Sequence, residues 1–226
     1  AFQGIQFRSG ASGTLSHFKI NLANKGIVIK TDDPLIQNGL IRNCSNSGIE
    51  IPGSSPELDN LVISENNGYG IRAYEDNGTA SPVITNCTLT GNQSYGIYNG
   101  SWGHSTQING CFIAGNNKGV YFEDGGYEAL IKGSTIEENS QEGIYLNGGS
   151  LLVEDSRIIG NQDGFKLSYG NDYDSVKIQN NFIKANTDHG LDLNNFNGLI
   201  RYNDILENQG NGIYLNNTSS EKDNFH

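Results

Sequence analysis

Methionine is missing from this sequence of 226 residues, and proline (4), cysteine (3) and tryptophan (1) are scarce. Three cysteines are too few for a disulfide framework, and none has zinc-ligand spacing. No run of about 18 apolar residues occurs, which excludes a membrane-spanning helix, and no signal peptide is recognisable. Long runs of alanine, glutamate, lysine and leucine are lacking, so nothing argues for a helical protein. Positive charge is in short supply: 14 Lys and Arg stand against 25 Asp and Glu, a formal net charge of −11. Such a surface repels phosphate backbones and anionic membranes, so neither nucleic acid nor membrane insertion is expected. An acidic polymer would need a local basic spot.

What is present is glycine (30 residues), much asparagine, and regularly spaced isoleucine and leucine that argue against disorder. A Gly followed by an apolar-x-apolar triplet begins at Gly4, Gly26, Gly48, Gly70, Gly96, Gly119, Gly143, Gly164, Gly190 and Gly212. Two further apolar columns run in phase with it. One passes from Ile36 and Leu58 through Ile84, Ile108, Ile131 and Val153 to Ile178 and Ile200; the other runs from Ile41 and Ile63 through Leu89, Ile113, Ile136 and Ile158 to Ile183 and Ile205. Repeats of this length, with period-two alternation inside each segment, predict three short strands per repeat stacked into three parallel sheets. Nine such coils at a strand spacing of about 4.8 Å give a rod of about 43 Å.

Asparagines mark the bends. One column contains Asn38, Asn60, Asn86, Asp155 and Asn180, and a second runs from Asn66 through Asn92, Asn116, Asn139, Asn161 and Asn186 to Asn208, with Cys44 in the same slot. Asparagine tolerates the left-handed conformation that tight bends need, and stacked amides can hydrogen-bond along the rod. These columns are expected to be structural. Residues 1–215 form the solenoid and 216–226 a polar tail. Gly4-Ile5-Gln6-Phe7 is already a repeat strand and the tail is short, so both ends look uncapped, and flanking domains in a longer parent chain, or self-association of the edges, are expected.

This pattern resembles the right-handed parallel β-helix repeat family, the superfamily of pectate lyases, alginate lyases and mannuronan C-5 epimerases. The resemblance covers residues 1–215. It implies an all-β, right-handed parallel β-helix in which the Gly-apolar-x-apolar strands line a substrate groove and the loops after them form its wall. It specifies the reaction weakly, since one fold carries many functions. Asn186-Thr187-Asp188-His189-Gly190-Leu191-Asp192 is similar to a polygalacturonase motif, but the acidic pair and Gly-His-Gly of that family do not follow. Gly190-Leu191-Asp192 is similar to the start of an epimerase motif, but Leu193-Asn194 stands where Pro-His belongs. Hydrolysis by paired carboxylates therefore ranks below lyase or epimerase chemistry.

On that geometry the x positions point outward and include Glu50, Arg72, Tyr98, Tyr121, Tyr145, Lys166, Asp192 and Tyr214. Tyr98, Tyr121 and Tyr145 form an aromatic ladder that either stabilises the sheet or supplies a sugar platform with phenol hydroxyls as donors. Longer loops follow coils 3, 4, 5 and 7 and only Asn147-Gly148-Gly149 follows coil 6, which describes a cleft near Tyr121, Tyr145 and Lys166. Trp102 and His104 are expected in one wall, with Tyr169, Asp172, Tyr173 and Asp174 in another. The substrate-binding candidates are Tyr98, Tyr121, Trp102, Arg72, Glu123 and Tyr173. A lyase or epimerase needs a base for the proton α to a carboxyl group and a neutraliser for that carboxylate. Lys166 beside Tyr145 is the first choice of base, with Arg72 and His104 behind it, provided that a neighbouring cation or aromatic wall lowers the lysine pKa. The bland alternative is an ordinary surface lysine. No cofactor is required, although Asp163, Asp188 and Asp192 make an oxygen-rich cluster of the kind that suits Ca²⁺.

Cys87 and Cys111 occupy equivalent places in adjacent coils and are either bridged or a stacked pair of buried thiols. Asn77-Gly78-Thr79 and Asn99-Gly100-Ser101 read as loop sequons. Two functions remain open. One is an extracellular or cell-surface module that binds an acidic polysaccharide and, in its catalytic version, eliminates or epimerises it. The other is a non-catalytic structural or adhesion solenoid of a surface or fibre protein.

Overall fold

In the computed structural model, which describes residues 2–32, 34–126, 129–170 and 175–216, the strands are three to five residues long and pair only in parallel. They form one ten-stranded sheet and two nine-stranded sheets, each built from every third strand in chain order. The ten-stranded sheet is made of the Gly-apolar-x-apolar strands, from Ile5–Phe7 to Ile213–Asn216. Its register follows the repeat: Val120 lies against Ile97 and Ile144, and Tyr121 against Tyr98 and Tyr145. The two other apolar columns are in register too, with Ile131 between Ile108 and Val153 and Ile136 between Ile113 and Ile158. Each coil sends these side chains inward, so the core is a continuous column of isoleucine, leucine and valine, widened by Phe122 and Phe165.

The bend between the second and third strands of a coil is made by a left-handed residue. Asn38, Asn60, Asn86, Asp155, Asn180 and Tyr202 have φ between 50° and 56°, and Gly110 and Gly133 fill the same slot. The other bend differs from the expectation. Its left-handed residue is Asn43, Glu65, Gly91, Gly115, Glu138, Gly160, Ala185 or Glu207, one place before the buried column. The column itself, Asn66 to Asn208, serves as a hydrogen-bond ladder. Each Nδ2 donates to Oδ1 of the next asparagine at 2.8–3.4 Å, and each backbone N–H donates to the same oxygen at 2.9–3.2 Å. A corner has backbone groups that no sheet reaches, and buried groups of this kind need partners. The amide column supplies them.

The motif glycine follows from this ladder. A Cβ at Gly119 would stand 2.8 Å from Ile136 Cγ2 and 3.0 Å from Asn139 Nδ2, in addition to meeting the Gly143 carbonyl oxygen. Only hydrogen leaves room for the buried amide beside the strand. Cys87 and Cys111 lie in the other corner's inner column, which Ser134, Ser156, Asn181 and Asn203 continue; Cys111 N–H donates to Ser134 Oγ at 3.1 Å and Ser134 N–H to Ser156 Oγ at 3.2 Å. All three cysteines are buried, and Cys87 and Cys111 stand in this structure as two unbridged thiols in adjacent coils.

Candidate functional site

The outer face of the ten-stranded sheet carries three side-chain columns. The x column, and the column two residues after it with Tyr74, Glu123 and Asn147, were legible from the alternation. The third column stands immediately before each motif glycine and contributes Lys25, Ser47, Tyr69, Tyr95, Lys118, Glu142, Asp163 and His189. Sequence reasoning missed it because Gly and the following residue both face inward, which breaks the two-residue period at that point. Extending the repeat spacing back by one residue would have aligned Tyr69 with Tyr95.

Five tyrosines meet on this face. Tyr98 stacks on Tyr121 with ring centroids 5.2 Å apart, and Tyr121 on Tyr145 at 4.9 Å, with interplanar angles of 15° and 6°. Tyr69 stacks on Tyr95 at 5.4 Å, and both contact Tyr98 edgewise or tilted at 5.4–5.5 Å. Gly100 makes room for the ladder, since a Cβ there would lie 2.6 Å from the Tyr98 hydroxyl. Rings stacked along the rod present their faces to one another, so solvent meets ring edges and hydroxyls. The ladder therefore stabilises the sheet, by up to about 1 kcal/mol per aromatic pair. It cannot also offer flat ring faces to a sugar. Free aromatic faces belong to Trp102 and Tyr169, 72% and 70% exposed on the loops that follow Tyr95–Asn99 and Phe165–Leu167.

Several polar groups around the ladder are paired with one another. Tyr121 Oη donates to Glu123 Oε2 at 2.9 Å, and Asn147 Nδ2 donates to Glu123 Oε1 at 3.0 Å. Burial, with that hydrogen bond and the Glu123 charge behind it, pushes the Tyr121 phenol up. Burial likewise raises Tyr95 and Tyr98. Arg72 lies over the rings of Tyr69 and Tyr74 and 3.9 Å from Glu50, which is outward-facing yet fully covered by Lys25, Ser47 and Arg72. Lys118 pairs with Glu142 at 2.6 Å and sits 4.5 Å from the centre of the Tyr145 ring.

Two expectations about the catalytic set do not hold geometrically. Lys166 Nζ lies 2.6 Å from Asp192 Oδ2 and 3.4 Å from Asp163 Oδ2. Burial opposes its charge, but the two carboxylates together outweigh burial and raise the ammonium above its ordinary pKa. That is the reverse of what a base near neutrality requires. His104 does not stand in the loop wall. Its imidazole is fully buried, edge-on to Phe122 at 4.6 Å, because the loop turns inward at this residue and bridges to Gly125. Thr106 N–H donates to Nδ1 at 3.3 Å, and burial lowers the ring's pKa to about 4.

The carboxylates proposed for calcium are likewise engaged. The Lys166 ammonium fills the space between Asp163 and Asp192, and Asp163 Oδ1 accepts the His189 N–H at 3.0 Å, while Asp188 lies 3.5 Å from His189 Nε2. Among the described residues no group of three or more His, Cys, Asp and Glu side chains could hold a metal ion. Asn99 is also not a loop sequon: it is buried, with Nδ2 donating to Ala80 O and Thr106 Oγ1, both at 2.7 Å. Tyr173, Asp172 and Asp174 lie outside the described residues.

Comparison with known proteins bears on the fold. The family model described as "Right handed beta helix region" matches residues 1–113 and 101–225. The chain belongs to this family. No curated protein matches it in sequence. Among solved structures it is similar to the A-module of the mannuronan C-5 epimerase AlgE4 of Azotobacter vinelandii, with a TM-score of 0.65 over 98% of this chain and 79% of that one, at 16% identity. A likeness at that identity carries the architecture alone.

Proposed function

We propose that the tyrosine face is a polysaccharide-binding surface. The observation that carries this reading is the pairing of a polar, hydroxyl-bearing floor with two free aromatic faces at its margin. Tyr98, Tyr121, Tyr145, Glu123 and Asn147 offer donors and acceptors to sugar hydroxyls. Trp102 and Tyr169, on loops at the same edge of the sheet, offer the apolar surface on which pyranose rings stack. A β-helix module acting on polysaccharide, as the epimerase module's name states for that protein, supports the ligand class. An extracellular or cell-surface setting goes with it.

The reading is of binding. Lys166 is held charged by two carboxylates and His104 is enclosed in the core, so neither of these two candidate bases is poised to remove a proton on this face. Trp102 is the sole tryptophan, so its fluorescence reports on the surface directly. Titration with soluble polysaccharides is expected to shift its emission, and Trp102→Ala together with Tyr169→Ala to weaken retention on the polymer at least about tenfold, as loss of stacking surface should. Retention unchanged in the double variant would remove the proposal. One observation favours a second reading, a plain scaffold: the ladder's ring faces are used up internally. The absence of any polysaccharide response from Trp102 would leave that reading standing.

A further inference from the structure

The charges of the same face say which polymer it would take. Around the tyrosine ladder four cations, Lys25, Arg72, Lys118 and Lys166, stand among five carboxylates, Glu50, Glu123, Glu142, Asp163 and Asp192, while Lys30, paired with Asp76 at 3.3 Å, and Arg8, bonded to Gln6, lie farther along the sheet in its first coils. Every one of the four is held by a carboxylate of the face: Lys25 by Glu50 at 2.6 Å, Lys118 by Glu142 at 2.6 Å, Lys166 by Asp192 at 2.6 Å, and Arg72 near Glu50 at 3.9 Å. A uronate arriving here must displace an internal carboxylate from a preformed pair, and what it displaces is a charge of its own sign, fixed nearby. The exchange gains little Coulomb energy and leaves a half-buried carboxylate without its partner, which costs more than the new contact returns. Glu123, at the centre of the floor, also repels an anionic chain directly, while the whole molecule carries −11. For a sugar hydroxyl the same groups are favourable, because a carboxylate accepts strong hydrogen bonds from neutral donors.

We infer that the polymer bound on this face is a neutral polysaccharide, recognised through its hydroxyls by Glu123, Asn147 and the tyrosine hydroxyls and not through carboxylates by the basic residues. This rests on the polysaccharide-binding reading above and narrows it. It also runs against the acidic polymer that the family resemblance suggests.

The test uses the whole chain and Trp102 emission, with galactomannan, xyloglucan and dextran as neutral probes and alginate and polygalacturonate as acidic ones, each at low and at high salt. The expected result is a response to at least one neutral polymer about tenfold tighter than to either acidic one, changing less than about twofold with salt. The double variant Glu142→Gln with Asp192→Asn unpairs Lys118 and loosens Lys166, and is expected to gain salt-sensitive binding of alginate or polygalacturonate. Tighter binding of an acidic polymer by the unaltered protein, weakened by salt, would overturn the neutral assignment and leave the binding surface in place. No response to any of the five polymers would overturn the binding surface itself, and this inference with it.

Discussion

Single side chains on this solenoid are placed by what the neighbouring coil puts beside them. His104 shows the consequence most clearly. Its residue type and its position next to Trp102 in a loop suggested a wall residue, whereas the imidazole is enclosed against Phe122. Nothing in one loop's composition reveals that its fifth residue turns inward. The signal lay in the neighbouring coil, where Gly125 and Gly126 let the chain approach closely enough for Gly126 N–H to donate to His104 O at 2.7 Å. An uncharged buried histidine makes stability depend on pH. Unfolded, the ring takes a proton near pH 6.5; folded, near pH 4. The unfolded chain therefore binds the extra proton first, so the full contribution of His104 is present above pH 6.5 and is lost as pH falls toward 4. The loss amounts to roughly 3 kcal/mol over that window. His104→Leu is expected to show a smaller fall in denaturation free energy between pH 7 and pH 4 than the parent. The proton NMR titration of the His104 ring should have its midpoint near 4. A midpoint near 6.5 would place the ring in water and contradict the packing.

At the scale of the structural element, the asparagine corner can be weighed rung by rung. Asn161 accepts from the Asn139 backbone N–H at 3.1 Å and from Asn139 Nδ2 at 2.9 Å, and its own Nδ2 donates to Ile136 O at 3.1 Å and Ile159 O at 3.2 Å. Asn161→Leu has about the right volume and removes all of these at once. The groups left behind are buried, so the expected destabilisation is about 1–3 kcal/mol for an unsatisfied partner, and more if several remain unpaired. An unchanged denaturant midpoint would show that water or a backbone shift replaces the rung. The strands and their register were legible in the sequence because one apolar residue per strand per coil must face inward, and a slip by one would expose the whole column. The bends were legible only in part. Asparagine signals both a left-handed backbone and an amide ladder. At Asn38 and Asn60 it meant the left-handed backbone, with an exposed rung from Asn60 Nδ2 to Asn38 Oδ1 at 2.7 Å, and at Asn139 and Asn161 the buried ladder without the left-handed backbone. The distinction follows from burial, which a list of residues does not display. The site was less legible still: the x column was found, while its partner column with Tyr69, Tyr95, Lys118 and Glu142 sat just outside the alternating triplet. Charge pairing between coils, which decides the state of Lys166, depends on register as well as residue type.

For the molecule as a whole, a stack of coils is close to a one-dimensional chain of nearest neighbours, and stability should be distributed accordingly. A central coil has two interfaces. A coil at either end of the described stack has one. The side chains show this gradient: Val120, Phe122, Ile144 and Leu146 are fully buried, whereas Ile5 and Leu215 are half-buried and Ile213 is 40% exposed. The ladder hydrogen bonds are of the same kind throughout, so differences in local opening should reflect the side-chain interfaces. Amide exchange is therefore expected to be slowest in Lys118–Phe122 and Ile144–Leu146 and to quicken outward in both directions. Between those strands and Ile213–Asn216 the difference should reach about a hundredfold, because opening an end coil breaks one interface where opening a central one breaks two. A second consequence sharpens the test. Ile144→Ala, in the middle of the stack, should accelerate exchange in coils on both sides of itself, since it weakens interfaces that propagate either way. Ile213→Ala should leave Lys118–Phe122 unchanged. Uniform protection from Ile5 to Leu215, or a global response to Ile213→Ala, would mean that the rod opens as one cooperative unit and that the nearest-neighbour description fails.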